Sequence, residues 1–120
     1  MSLSTQEVIA QVRRDLSDAV APYRWGDTEL LRHVTTGRNE IVRQRPDSLY
    51  VGDSIEVTPI DDLPDVTALT GAGSETSISV VFFNALAHYV AYCVLLGDAE
   101  DASNQKLAQY HWEQFVKEIG

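Results

Sequence analysis

The stretch that decides the fold covers residues 78–96 and reads ISVVFFNALAHYVAYCVLL. Its residues are apolar on nearly every side of a helical wheel, and only Ser79, Asn84 and His88 interrupt the pattern. A helix that is apolar all round has to be covered by other elements on all sides. The sequence therefore predicts a helix over 78–96 at the centre of a helical bundle.

The chain downstream of this helix predicts a turn at Gly97 and Asp98, followed by a final helix of about twenty residues. Carboxylates at 98, 100 and 101 lie in its first turn, where the helix dipole favours negative charge. This helix has two apolar sides. The first comprises Ala108, Trp112, Phe115 and Ile119, and the second comprises Ala99, Leu107 and Tyr110. One side can close the bundle, and the other needs a neighbour from the same chain or from another subunit.

The chain upstream of the central helix changes character over 46–77, where Pro, Gly, Asp, Thr and Ser exclude long helices. Two short alternating pieces, 54–58 and 63–69, predict a β-hairpin around 59–62. An extended arm that becomes ordered only on a partner is the alternative. A loop of about thirty residues without any structure would be unusual in so small a domain.

Two amphipathic helices are predicted at the start of the chain. The first begins at Ser4, which forms a capping-box pattern with Glu7, and it ends at Pro22. The second is capped by Asp27 or Thr28 and runs to Arg45, because a proline follows. The predicted buried residues are Val8, Ile9, Val12, Leu16, Ala19 and Val20 in the first helix and Leu30, Leu31, Val34, Ile41 and Val42 in the second. The predicted fold is thus mainly α, a small bundle of about four helices with a β-hairpin or extended arm between the second and third.

Composition and charge limit the function. The chain has 120 residues, 44% apolar and 22% charged, so we expect one globular domain over 1–120. Its single cysteine and the lack of a signal-peptide pattern favour neither secretion nor membrane spanning. Residues 1–45 hold seven arginines against six acids, whereas 46–120 hold two lysines against twelve acids. This acidity disfavours nucleic-acid binding and favours a basic protein partner.

The chain has no recognisable catalytic set, and we expect no enzymatic activity, cofactor or metal. His33, His88 and His111 lack ligand-like companions three or four residues away, so a satisfied core or interface histidine is the better interpretation. A small hydrolase or metal enzyme would require His33, His88 and the carboxylates at 61–65 to converge. Cys93 lies in an apolar helix, where a thiolate is disfavoured.

Two arginines of the second helix need an explanation. Arg38 and Arg45 lie on the same side as its apolar residues, and burying an unpaired guanidinium costs several kcal/mol. Either their stems cover apolar surface while their charged groups reach water, or they pair with carboxylates of 46–120. Such pairs could form within the chain or across a subunit boundary.

Several residues of the C-terminal part resemble the tailed-bacteriophage head–tail connector proteins, also called adaptor or head-completion proteins. These are the run ALAHYVAY at 85–92, a short turn, DAEDA at 98–102, Phe115 and Gly120. In that family, a helix with an alanine and tyrosine pattern precedes a D-A-E-x-A start and a helix that ends in an aromatic residue. The match covers the last forty residues best, the first forty-five loosely and the middle poorly.

The resemblance implies a virion structural protein at the head–tail interface, assembled in the host cytoplasm. Such a protein forms a dodecameric ring on the portal protein, can remain monomeric until it docks, and bridges to a second connector or tail-terminator protein. DNA passes through the ring without specific binding, and no membrane is involved. The residues expected at the subunit or portal interface are Arg38, Arg45, Tyr110, Trp112, Ile55 and Val57. The alternative is a non-viral helical interaction module, regulatory or antitoxin-like, that binds a basic partner.

Overall fold

The computed structural model describes residues 2–16, 25–49, 65–69, 74–97 and 102–120. Its helices are α1 (Thr5–Asp15), α2 (Asp27–Gln44), α3 (Phe83–Gly97) and α4 (Ala102–Ile119). Two strands, β1 (Ser2–Ser4) and β2 (Glu75–Ser79), pair antiparallel, with Ser2 opposite Ser79 and Ser4 opposite Glu75. Short 3-10 turns occupy Pro46–Leu49 and Val80–Phe82. The protein is a small helical bundle, as the sequence predicts.

Helix α3 lies at the centre of the bundle and packs against α1, α2 and α4. Its buried residues are Ala85, Leu86, Ala87, Val90, Ala91, Val94 and Leu95. The prediction of a central helix is therefore confirmed. The stretch Val80–Gly97 is also long and apolar enough to cross a membrane by length and composition alone, a test that core helices of soluble proteins also pass.

The start of α3 differs from the prediction, because the helix begins at Phe83 and not at residue 78. Ile78 is fully buried in β2. The hydroxyl of Ser79 then accepts a hydrogen bond from the Val81 N–H and caps the 3-10 turn that leads into α3. β-Branched residues suit an extended backbone as well as a helix. Pairing with β1, which is distant in sequence, decides between the two.

Helix α1 begins directly after Ser4, as predicted, but Ser4 makes no side-chain cap hydrogen bond. Ser4 belongs instead to β1, and the hydroxyl of Thr5 donates to the backbone carbonyl of Ser74. This bond ties the start of α1 to the segment before β2. The helix ends at Asp15, short of the predicted end at Pro22. Val8, Ile9 and Val12 are buried and Leu16 is half-buried, whereas residues 19 and 20 lie outside the described part of the chain.

Helix α2 buries all five of its predicted apolar residues. Its N-cap is Gly26, and not Asp27 or Thr28 as predicted. The helix ends at Gln44, so the predicted boundary before Pro46 is correct to one residue. At Gly37 the helix approaches α3 so closely that an added Cβ would lie 2.8 Å from Tyr89 Cδ1.

The predicted β-hairpin finds no support in the structure. Its first strand, 54–58, lies outside the described residues, and the described part of its second strand, 65–69, is not extended into a sheet. Val66 is held against α2 instead, because its backbone N–H donates to the Thr35 hydroxyl at 2.9 Å. The strand that the structure does show near this region, β2, pairs with the first residues of the chain.

Candidate interaction surface

Helix α4 has a buried stripe with an exposed apolar flank on each side. The stripe consists of Ala108, His111, Phe115 and Ile119. At about 100° per residue, Leu107 and Tyr110 lie on one flank, and Trp112 and Val116 lie on the other. Their exposed fractions are 48%, 50%, 39% and 51%, respectively. The large exposed apolar residues among those described are Val80, Val81, Leu96, Leu107, Tyr110, Trp112 and Val116, so more than half of them lie on this one helix.

The prediction of a second, uncovered apolar side on the final helix is confirmed for Leu107 and Tyr110. Residue 99 lies outside the described part of the chain. Trp112, on the other predicted apolar side, is only partly covered by the bundle. Its indole contacts Tyr92 and Phe115, with ring centroids 5.0 and 5.6 Å apart, but more than a third of it remains exposed. The α3–α4 groove covers only part of so large a ring.

The flank formed by Trp112 and Val116 continues onto α3 through Tyr92 and Leu96. Trp112 contacts Tyr92, and Leu96 lies one helical turn after Tyr92 and is 52% exposed. We call these four residues the seam surface. Beneath it, Tyr89 packs edge-on against Phe115, with ring centroids 5.1 Å apart. Aromatic side chains have few rotatable bonds and large apolar faces, so this surface is well suited to protein contact.

The opposite flank borders a pair of histidines. Nδ1 of His88 on α3 lies 2.9 Å from Nδ1 of His111 on α4, within hydrogen-bonding distance. Tyr110 lies edge-on to both rings. Burial lowers the pKa of His111, as does neighbouring His88, whereas the charge of Asp15 raises it. The interpretation of His88 as a satisfied core or interface histidine is therefore confirmed.

The enzyme interpretation required His33, His88 and the carboxylates at 61–65 to converge. In the described part of the chain, no group of three or more His, Cys, Asp or Glu side chains is placed to hold a metal ion. His88 contacts His111. The enzyme interpretation required His88 to lie near His33 instead. The carboxylates at 61 and 62 lie outside the described residues. Burial raises the pKa of Cys93 to about 11, against the smaller opposing effect of a hydrogen bond with Tyr89, so the prediction of a disfavoured thiolate is confirmed.

Arg38 is fully buried inside the bundle. Its Nε and Nη2 donate to Asn39 Oδ1 at 3.1 and 2.9 Å. Burial lowers the pKa of Arg38, and the negative charge of Asp65 raises it. The interpretation in which this guanidinium reaches water is wrong, because Arg38 is fully buried in the single chain. Its place at an interface stays a prediction. The attraction to Asp65 agrees with the expected link to a carboxylate of 46–120.

Arg45 connects the C-terminal ends of α2 and α4. It pairs with both carboxylate oxygens of Asp47 at 3.0 Å and donates to the Ile119 carbonyl at 2.7 Å. Its guanidinium also lies 5.6 Å from the centre of the Phe82 ring. The hydrogen bond with Asp47 raises the pKa of Arg45. Arg45 thus has the predicted carboxylate partner within the chain, and its side chain remains 42% exposed.

A third arginine, Arg13, has a structural role that the sequence reasoning missed. Its side chain is only 7% exposed, and it donates to Asp27 Oδ1 at 2.6 Å and to the Trp25 carbonyl at 3.0 Å. It therefore links α1 to the first turn of α2. The available signal was its position four residues after Ile9, which places it beside the buried stripe.

The remaining two predicted interface residues, Ile55 and Val57, lie outside the described residues. Among the predicted interface residues that the structure describes, Tyr110, Trp112 and Arg45 are accessible to a partner. Comparison with known proteins gives no match to this chain, whether with family models, curated proteins or solved structures.

Proposed function

We propose that this protein is a structural subunit that assembles with other protein subunits, as a head–tail connector of a tailed bacteriophage. The observation that carries this proposal is the pair of exposed apolar flanks on α4. Each large side chain that becomes buried on association contributes on the order of 1 kcal/mol, because about half of it is already covered. The four exposed side chains of α4, together with Tyr92 and Leu96 on α3, form apolar surface. A partner that covers this surface would stabilise the complex.

The presence of two flanks fits assembly into a ring. In a head-to-tail ring each subunit contacts one neighbour on each of two different sides, and such contacts close when the rotation permits. Leu107 and Tyr110 lie on one side of α4, and Trp112 and Val116 lie on the other. The proposal of a ring that docks on the portal protein comes from the sequence resemblance to connector proteins. No catalytic activity forms part of this proposal.

The test is binding to the portal protein encoded in the same genome, measured by sedimentation and by electron microscopy of the mixture. The double variant Leu107→Glu and Val116→Glu places a charge on each flank. We expect it to weaken portal binding or ring formation at least tenfold while the melting temperature stays near that of the wild type, because both residues are half exposed. Val81→Glu is the matched control, because Val81 is 75% exposed but lies outside α3 and α4.

Two outcomes would contradict the proposal in different ways. Failure of the wild type to bind either the portal or other head–tail proteins would overturn the connector role and favour the interaction module with a basic partner. Portal binding that the double variant retains in full would leave the role but remove α4 as the contact surface.

A further inference from the structure

The contact between His88 and His111 depends on how many protons the two rings hold. A neutral imidazole has one N–H, so a neutral pair has one donor and one acceptor at the 2.9 Å contact. With one added proton, the charged ring still donates to the neutral one. With two added protons, both Nδ1 atoms carry hydrogen. The contact then becomes a repulsion between two like charges whose ring centroids are 5.1 Å apart.

The surroundings of the pair come from three helices. Burial acts most strongly on His111 and opposes its protonation, and His88 on α3 acts in the same direction. Asp15, the last residue of α1, favours a charged His111. Tyr110 on α4 contributes the edge of its ring to both histidines. Helix α2 places no charged group among those that act on His111. Among the described residues, Asp15 is the carboxylate that acts on His111, and one carboxylate compensates at most one positive charge.

We propose that His88 and His111 form a proton-operated latch that holds α4 on α3 near neutral pH and releases it in mild acid. The two rings join the neighbouring helices α3 and α4 directly, so loss of their contact loosens the packing of Phe115 and Ala108 beside them. This latch concerns packing within one chain, and it therefore goes beyond the assembly role and does not depend on it. Where the chain assembles through α4, acid would change the same surface.

The direction of the pH effect follows from proton counting. In the unfolded chain each histidine titrates near pH 6.5, so both are protonated in mild acid. In the latched state the pair holds at most one proton, because a second would place a hydrogen on both Nδ1 atoms at their 2.9 Å contact. The unfolding equilibrium constant therefore rises as pH falls below about 6.5, by up to about tenfold per pH unit for one excess proton. Above that pH the contribution of the pair to stability is complete.

The experiment is urea unfolding of the full chain between about pH 5 and pH 8. The variants His88→Asn and His111→Asn keep a hydrogen-bonding group near the position of Nδ1 but cannot titrate. We expect the wild-type unfolding constant to increase several-fold more per pH unit below 6.5 than that of His111→Asn, which lacks the buried histidine. His88→Asn should lie between the two, because burial still opposes protonation of His111. His33→Asn is the matched control, because burial also lowers the pKa of His33 although it belongs to α2. This control should keep the steep acid dependence that the pair causes.

A second measurement on the wild type remains decisive if a variant fails to fold. Nitrogen-15 NMR of the imidazole rings gives the protonation of each ring, and hydrogen exchange gives the protection of α4 amides at each pH. We expect the second proton to enter well below pH 6.5, together with a loss of α4 protection. Ordinary titration of both rings with unchanged α4 protection would overturn the latch, as would variants with wild-type acid dependence. Portal binding plays no part in either measurement, so these results stand apart from the test of the connector role.

Discussion

At the scale of single residues, three buried or half-buried arginines, Arg13, Arg38 and Arg45, show which features of a side chain can be predicted from the sequence and which cannot. Arg38 and Arg45 could be identified because they share the apolar side of one helix. Their partners could be predicted only as a class, since Asn39, Asp65 and Asp47 reach them through side-chain geometry that no periodicity encodes. Arg13 was missed because its partners lie beyond the end of its own helix.

Charge reversal at Arg38 tests whether its buried charge needs its partners. Arg38→Glu would place a carboxylate beside Asn39 Oδ1 and the charge of Asp65, and we expect it to lower the free energy of unfolding by about 3 kcal/mol or more. Arg38→Met is the control, since it fills much of the same volume without a charge and should cost less. Urea unfolding at neutral pH gives both values. A reversed charge that leaves stability unchanged would contradict the buried position.

At the scale of elements, the helices could be predicted well and the strands could not. The five buried residues of α2 repeat at helical spacing, and α3 is apolar on every side, so both patterns report burial directly. The strand β2 is different, because its residues are compatible with either backbone and its partner β1 lies about seventy residues away. One exposed flank of α4, formed by Leu107 and Tyr110, could be predicted as part of a second apolar side. The His88–His111 contact could not, since it depends on the relative position of two helices.

The close approach of α2 to α3 at Gly37 gives a prediction at this scale. In Gly37→Ala the new methyl group would lie 2.8 Å from Tyr89 Cδ1 and 2.9 Å from Leu86 Cδ1, so these side chains or the helices that carry them must shift. The overpacking cost of about 1–3 kcal/mol exceeds the gain in helix propensity of about 1 kcal/mol, so the net effect is destabilising. Thermal unfolding measures it.

Gly97→Ala provides the matched control, because nothing lies within 4 Å of a Cβ at that position. We expect the melting temperature of this variant to equal or exceed that of the wild type. A Gly37→Ala protein as stable as Gly97→Ala would contradict the close packing of α2 against α3 at this position.

At the scale of the whole molecule, buried titratable groups define a pH range in which the fold is most stable. Burial lowers the pKa of His33 and His111, so protonation opposes folding on the acid side. On the alkaline side, burial raises the pKa of Cys93 to about 11 and that of Tyr89 to about 12. A group whose pKa is raised by folding contributes stability that is complete below its unfolded pKa and is lost as pH rises through the folded pKa. Stability should therefore be greatest between about pH 6.5 and pH 8.5.

The alkaline limit can be tested with Cys93→Ala and Tyr89→Phe. Between about pH 8 and pH 10.5 we expect the wild-type unfolding constant to rise, by less than tenfold per pH unit for each group, since both are partly exposed. Each variant should have a shallower dependence, measured by urea unfolding at a series of pH values. Val116→Ala is the control, because it removes a half-exposed side chain that has no titratable group and should leave the dependence as in the wild type. Identical slopes in all four proteins would contradict the assignment.

The pairing of β1 with β2 has a consequence for the order in which the chain reaches its final form. Helices α3 and α4 are close in sequence and can meet as soon as both exist, because short-range contacts form fastest. Strand β1 must wait until some seventy more residues have been synthesised before its partner β2 appears. Until then β1 lacks the strand it pairs with, and the pairing closes a loop of about seventy residues in one step.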